Sequence, residues 1–199
     1  MRRVRLFLWI AVGIAAALAA ALLVLRPSAP PAPAMAGSSV TELGGPFTLT
    51  GSDGQPFASS RLAGRPFAIF FGFTHCPDVC PTTLARLARL RKALGKGDNS
   101  FAILLVSVDP ERDTPADMGR YSALFGTPVI GLTGSPAAIE QVKKQYGIYS
   151  KKVPQPGGGY TVDHSATVLL FDGAGHFAAT IATDEGDAAA LDKLKALTA

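Results

Sequence analysis

The chain has 199 residues and a formal net charge of +4, a length that suits one domain whose core needs no disulfide. The positive charge does not indicate a nucleic-acid binder, because four of the 19 basic residues lie in the first 36 positions, which contain no acid. The other basic residues number 15 and match the 15 acidic residues, so we expect no nucleic-acid partner.

An uncharged apolar run, LFLWIAVGIAAALAAALLVL, occupies residues 6–25. At ~1.5 Å per residue, a helix of this length crosses a hydrocarbon core of roughly 30 Å. We therefore predict a single N-terminal transmembrane helix, with residues 1–26 as the membrane anchor. More arginines precede the run than follow it, so the positive-inside rule places the rest of the chain on the periplasmic, or otherwise extracytoplasmic, side of a bacterial-type inner membrane. A cleaved signal peptide is the alternative, because Ala34-Met35-Ala36 fits a small-x-small cleavage site.

Residues 27–39, PSAPPAPAMAGSS, are rich in proline and small residues and have no hydrophobic periodicity. This composition predicts an extended, partly stiff tether between the membrane and a domain formed by residues 40–199. The domain begins with a small hairpin, which is predicted by residues 46–50, the turn Ser52-Asp53-Gly54 and the pair Pro56-Phe57.

The next segments predict a strand, a helix and a second strand. Residues 67–73 (FAIFFGF) and 101–108 (FAILLVSV) are continuous apolar runs, typical of strands that are buried on both faces. Between them, residues 82–94 carry leucines at helical spacing, and Pro81 suits the first turn of a helix. This order predicts a parallel pair of strands joined by a crossover helix.

The rest of the chain predicts three helices and a hairpin. Residues 115–125 and 136–146 are expected to form two of the helices, and a third starts near Asp187. The expected N-caps of the first two are Thr114 and Ser135. A hairpin is expected around the loop Asp172-Gly173-Ala174-Gly175. The predicted elements are thus a parallel core, a C-terminal hairpin and covering helices, and the cysteines lie where a strand meets a helix. This arrangement indicates an α/β protein with a thioredoxin-like fold and a central mixed sheet.

Cys76 and Cys80 are the only cysteines, in the stretch HCPDVCP directly after the first buried strand. If both lie in the first turn of the helix, their spacing brings the Cβ atoms to about 5–6 Å, and the helix N-terminus stabilises thiolates. This geometry serves a structural disulfide, a redox couple or a metal site. A disulfide here would close a very small loop and add little stability, so we favour a reactive role.

A metal site needs a third ligand, and the chain has three histidines. His75 adjoins Cys76, but neighbouring side chains diverge, and His176 is expected to be exposed in a hairpin turn. His164 is the best-placed third ligand, although a loop histidine without function fits its position equally well. Two thiolates and one imidazole suit Cu(I), and Cu(II) would take a further ligand, whereas structural zinc normally has four protein ligands. The residues therefore favour copper.

Three motifs resemble those of the Sco/SenC family: FGFTHCPDVCP at residues 71–81, VDPERDTP at 108–115 and VDHS at 162–165. They occur in family order and span most of residues 40–199. The resemblance implies a membrane-tethered, thioredoxin-like copper chaperone, not an enzyme, that delivers copper to the copper-bearing subunit of cytochrome c oxidase. It also implies that Cys76, Cys80 and His164 are the copper ligands, for Cu(I) and for Cu(II).

Some members of that family act as thiol-disulfide reductases, so reduction of the cysteines of the oxidase copper site is the alternative function. Further partners would then be other copper chaperones or thioredoxin-like reductants. A peroxidase, which draws on a related fold, is the third and least favoured function. From the residues themselves, we expect Asp78 to be a helix N-terminal acid, Arg112 and Asp113 to brace the loop after the second strand, and Met118 to lie in the core.

Overall fold

The computed structural model describes residues 43–199. The predicted membrane anchor, the tether and the domain boundary at residue 40 lie outside the described residues and stay predictions. Within residues 43–199, no helix has the length and apolar character needed to cross a bilayer.

Residues 43–199 contain nine strands: β1 Thr48–Gly51, β2 Pro56–Ala58, β3 Phe67–Gly72, β4 Ala102–Ser107, β5 Ile130–Thr133, β6 Ser150–Pro154, β7 Tyr160–His164, β8 Val168–Phe171 and β9 Phe177–Ile181. Seven of them form one mixed sheet in the order β2-β1-β5-β4-β3-β8-β9. The neighbours β3, β4 and β5 run parallel, and the other pairs in this sheet are antiparallel. Strands β6 and β7 form a separate antiparallel ribbon.

In the described part of the chain, four α-helices accompany the sheet: α1 Val79–Leu94, α2 Pro115–Ser122, α3 Pro136–Gln145 and α4 Asp187–Leu197. Short 3-10 turns occupy Ser59–Leu62 and Ala123–Phe125. The predicted N-caps are confirmed, because the Thr114 hydroxyl accepts from the Asp117 N–H and the Ser135 hydroxyl accepts from the Ala138 N–H. Helix α1 ends at Leu94, and the C-cap Gly95 has a φ of 71°, the left-handed conformation that terminates the helix.

The core lies around the two central parallel strands. Every residue of β3 and of β4 is buried, as their continuous apolar sequences predict. Helix α1 buries Leu84, Leu87 and Leu90, which recur at helical spacing. The α/β thioredoxin-like fold with a central mixed sheet is therefore confirmed, as are the opening hairpin, the parallel pair and the C-terminal hairpin.

The structure differs from the sequence-based prediction at three places. Helix α1 begins at Val79, three residues before the predicted start, so that Pro81 still lies in its first turn. The predicted helix over residues 115–125 is an α-helix only to Ser122 and continues as a 3-10 turn. Strands β5, β6 and β7 were not predicted, because β5 is a four-residue strand with a glycine and the ribbon β6–β7 is largely polar.

Candidate metal centre

The two cysteines lie on either side of the start of α1. Cys76 is in the loop between β3 and α1, where its N–H donates to the Phe73 carbonyl over 3.2 Å. Cys80 lies in the first helical turn, and its N–H points at the Cys76 sulfur, 3.4 Å away. Cys76 therefore precedes the helix, so the two cysteines do not share its first turn, although a backbone N–H of that turn faces the Cys76 sulfur.

His164 ends β7 and meets the cysteines from the other side. Its Nε2 lies 3.5 Å from the Cys80 sulfur, and its Nδ1 lies 3.0 Å from the Ser165 carbonyl oxygen. A carbonyl oxygen only accepts, so Nδ1 carries the proton and the lone pair of Nε2 is free to bind a metal. The rings of Phe70 and Phe73 contact the imidazole edge-on and hold it in place.

Two sulfurs and one imidazole nitrogen thus converge on one point. The atoms of Cys76, Cys80 and His164 all lie within 4.8 Å of one another, and within residues 43–199 this is the one such group of three. Both cysteines are free thiols. Cys80 is buried, whereas Cys76 and His164 are half-buried, so the site is open on one side. The structure therefore brings the three predicted ligand residues together.

Burial is the main reason why the pKa of the Cys80 thiol is raised well above its usual range. A hydrogen bond with Cys76 and the charges of Cys76 and Asp113 act in the same direction, while the Phe73 backbone acts against them. Without a metal, Cys80 is therefore a neutral thiol near pH 7. A cation that binds here must displace its proton.

A buried carboxylate holds the cysteine loop in place. Asp113 accepts hydrogen bonds from the Thr74 hydroxyl and the Ser107 hydroxyl, each over 2.6 Å, and from the Thr74 N–H at 3.2 Å. Because Thr74 precedes Cys76 by two residues, these bonds attach the loop to the end of β4. Asp113 was expected to brace the loop after the second strand, and its bond with Ser107 agrees with this, whereas sequence reasoning missed both Ser107 and Thr74 as its partners. The hydroxyl residue that ends the apolar strand FAILLVS was the available signal.

The other singled-out residues lie outside the group of three. The His75 side chain is 54% exposed, and its Nδ1 contacts the Thr74 hydroxyl at 3.1 Å. His176 is exposed in the β8–β9 hairpin, as expected, and Met118 is buried in the core. Asp78 immediately precedes α1 and accepts from the Thr82 hydroxyl over 3.2 Å, which agrees with its expected place at the helix N-terminus.

Comparison with known proteins identifies relatives of the whole domain. A sequence model described as SCO1/SenC matches residues 35–199. The mitochondrial protein SCO2 of Saccharomyces cerevisiae is 36% identical over 156 residues, which are 77% of this chain and 52% of the yeast protein. This chain thus spans about half the length of that relative.

Two similar solved structures are of copper-bound proteins. Bradyrhizobium japonicum ScoI with copper bound is 42% identical, with a TM-score of 0.71, and the match covers 78% of this chain and 99% of that one. Arabidopsis thaliana ScoI with copper bound is 33% identical, with a TM-score of 0.73, over 77% of this chain and 96% of that one.

Proposed function

The chain belongs to the SCO1/SenC family, and we propose that it is a membrane-tethered copper chaperone that carries copper on Cys76, Cys80 and His164. The observation that carries this proposal is the convergence of two thiols and the unprotonated Nε2 of His164 within 4.8 Å. The copper-bound structures of two relatives support it.

The ligand types favour copper over zinc. Thiolates are soft ligands that select Cu(I), and imidazole binds copper in either oxidation state. Structural zinc is normally held by four protein ligands, and this group offers three. Cu(I) is therefore the expected cargo, and Cu(II) would need a further ligand from water or from a partner.

Delivery would proceed by stepwise exchange of ligands with the recipient. A partner thiolate first replaces Cys76, which is the more exposed of the two sulfurs. A second partner thiol then replaces Cys80, and the proton that this thiol loses passes to the Cys80 thiolate. Because burial favours the neutral form of Cys80, reprotonation favours release of the metal. We propose the copper-bearing subunit of cytochrome c oxidase as recipient and an extracytoplasmic location for the domain, which the predicted anchor would hold at the membrane.

A second candidate function is thiol-disulfide exchange, and the unequal exposure of the two cysteines favours it. The Cys76 thiolate would attack a partner disulfide, forming a mixed disulfide and releasing one partner sulfur as a thiolate. Cys80 would pass its proton to that thiolate and attack the Cys76 sulfur, which releases the second partner sulfur. The chain ends oxidised, with a Cys76–Cys80 disulfide, and the partner ends reduced. This step would prepare the recipient's cysteines for copper.

Anaerobic titration of the reduced full chain in detergent with Cu(I), against a chromophoric Cu(I) chelator, tests the proposal. We expect one tightly bound copper per chain, with a large loss of affinity in Cys76→Ser and a smaller loss in His164→Ala. The matched control is His176→Ala, which removes an exposed histidine and leaves binding unchanged. Failure of the wild-type chain to compete with the chelator would exclude the chaperone and leave thiol exchange.

A further inference from the structure

The strand that carries His164 belongs to the ribbon β6–β7, which forms no hydrogen-bonded ladder with the seven-stranded sheet. Alternate residues of a strand share a face, so Tyr160, Val162 and His164 point the same way. Val162 is buried in the core, which shows that this face is turned toward the domain. Tyr160 and His164 stand four residues apart, about 13 Å along the strand. Contacts that fix Tyr160 at one end of β7 therefore also limit the orientation of His164 at the other end.

Tyr160 is held by two residues of the loop that follows β4. Its hydroxyl donates to a carboxylate oxygen of Asp109 over 2.8 Å. The Arg112 Nη1 donates to the Tyr160 carbonyl over 3.0 Å, and the guanidinium lies 3.9 Å above the Tyr160 ring. Arg112 also binds the second carboxylate oxygen of Asp109, which is fully buried. The ion pair of Asp109 and Arg112 thus contacts the ring, the hydroxyl and the backbone of Tyr160.

The same loop also holds the cysteines. Asp113, at its other end, binds Thr74 of the cysteine loop, and the Asp109 carbonyl accepts from the backbone N–H groups of Arg112 and Asp113. Residues 109–113 therefore contact both halves of the metal centre, the dithiol on one side and the histidine strand on the other. Phe73 lies between them, with Arg112 5.9 Å above its ring and His164 against its edge.

We propose that Asp109 and Arg112 are positioning residues that act through Tyr160 to set the place of His164 relative to the two sulfurs. None of the three makes a hydrogen bond or an ion pair with the side chain of Cys76, Cys80 or His164. Their effect is to fix the direction of β7, so that Nε2 of His164 faces the sulfurs with which it would bind the metal. Buried packing of Val162 holds the ribbon near the domain, whereas the directional hydrogen bonds at Tyr160 limit its rotation.

This inference rests on the proposed copper site, and a double-mutant cycle on the full chain in detergent tests it. Tyr160→Phe keeps the ring but removes the bond to Asp109, and Arg112→Lys removes the bond to the Tyr160 carbonyl. We expect each to lower Cu(I) affinity by roughly tenfold, the lower end of the effect of residues that orient a metal ligand. In a His164→Ala background, each should change affinity by less than about twofold, because the group they position is absent.

The matched control is Tyr149→Phe. Tyr149 precedes β6, its side chain is exposed, and its hydroxyl makes no hydrogen bond to residues 43–199, so this variant should bind copper as the wild type does. A readout without metal is the nuclear Overhauser contact between the His164 and Phe73 rings of the apo chain, which Tyr160→Phe should weaken and Tyr149→Phe should not.

The outcomes separate the two proposals. If His164→Ala itself leaves Cu(I) affinity unchanged, the proposed ligand set is wrong and the positioning role falls with it. If His164→Ala weakens binding but Tyr160→Phe and Arg112→Lys do not, only the positioning role is overturned. The same holds if their losses persist undiminished in the His164→Ala background, since that result indicates general destabilisation.

Discussion

Gly72 leaves open the space that the Cys80 sulfur occupies. A Cβ atom at position 72 would lie 2.9 Å from that sulfur and 2.9 Å from the Phe70 ring. Gly72 is the last residue of β3 and is buried, so the strand backbone itself lies against the thiol. The absence of a side chain at this position is therefore a condition for placing Cys80 in the metal centre.

Gly72→Ala is expected to destabilise the domain and to displace Cys80. Overpacking a tight core costs about 1–3 kcal/mol, and the added methyl group cannot avoid both of its neighbours. Urea unfolding followed by circular dichroism, together with Cu(I) competition, measures the two effects. Gly186→Ala is the control, because its Cβ meets nothing within 4 Å, and a change below about 1 kcal/mol is expected there. Equal stability of Gly72→Ala and wild type would show that the space is not required.

Alkylation should distinguish the two cysteines in the reduced apo chain. Cys76 is half-buried, whereas Cys80 is fully buried and its pKa is raised by that burial. Since the thiolate is the reactive species, we expect iodoacetamide near neutral pH to modify Cys76 at least about tenfold faster. Mass spectrometry of tryptic peptides after short exposures measures both rates, and Cys76→Ser reports Cys80 alone. Similar rates at both positions would contradict the buried placement of Cys80.

The predictability of each element follows from how much of it is buried. Strands β3 and β4 are buried on both faces, and their continuous apolar runs allowed both strands to be predicted from the sequence. The ribbon β6–β7 has one buried residue, Val162, so its sequence carries almost no hydrophobic pattern. As a result, the strand that His164 ends, β7, was not predicted.

The three candidate ligands could be named from the sequence, but their surroundings could not. The cysteine spacing and the family motifs identified Cys76, Cys80 and His164. The partners that orient them, Thr74 and Tyr160, are joined to the site by hydrogen bonds between segments far apart in the chain. Contacts of this kind depend on the packing of the loop after β4, which no local pattern encodes.

Asp113→Asn should destabilise the domain, although it replaces only one oxygen atom of the side chain by an NH2 group. The carboxylate accepts from the Thr74 N–H and from the Thr74 and Ser107 hydroxyls, whereas an amide NH2 group can only donate. Leaving buried donors unpaired costs about 1–3 kcal/mol, so a loss in this range is expected in urea unfolding. Asp163→Asn, which changes an exposed carboxylate of β7, is the matched control and should have little effect. An unchanged unfolding midpoint in Asp113→Asn would show that the network does not hold the cysteine loop.

Copper binding should release the proton of Cys80. Burial raises the pKa of this thiol above the ordinary value of about 8.5, so the apo chain keeps the proton at pH 7, while copper requires the thiolate. Because protons compete with the metal, each proton released should raise Cu(I) affinity by about tenfold per pH unit. The raised pKa also means that the folded apo chain binds this proton more tightly than the unfolded chain, so its stability should fall as the pH rises above about 8.5.

Cu(I) competition at several pH values between about 6.5 and 8 measures the slope of log affinity against pH, which is the number of protons released. Cys80→Ser should lower this slope by about one proton, because serine has no thiol proton to displace. The same variant should lose part of the fall in stability at high pH, which unfolding of the two apo chains would detect. A slope that is identical in wild type and Cys80→Ser would mean that Cys80 does not bind the metal as a thiolate, and the handover step in which its reprotonation favours release would then fail.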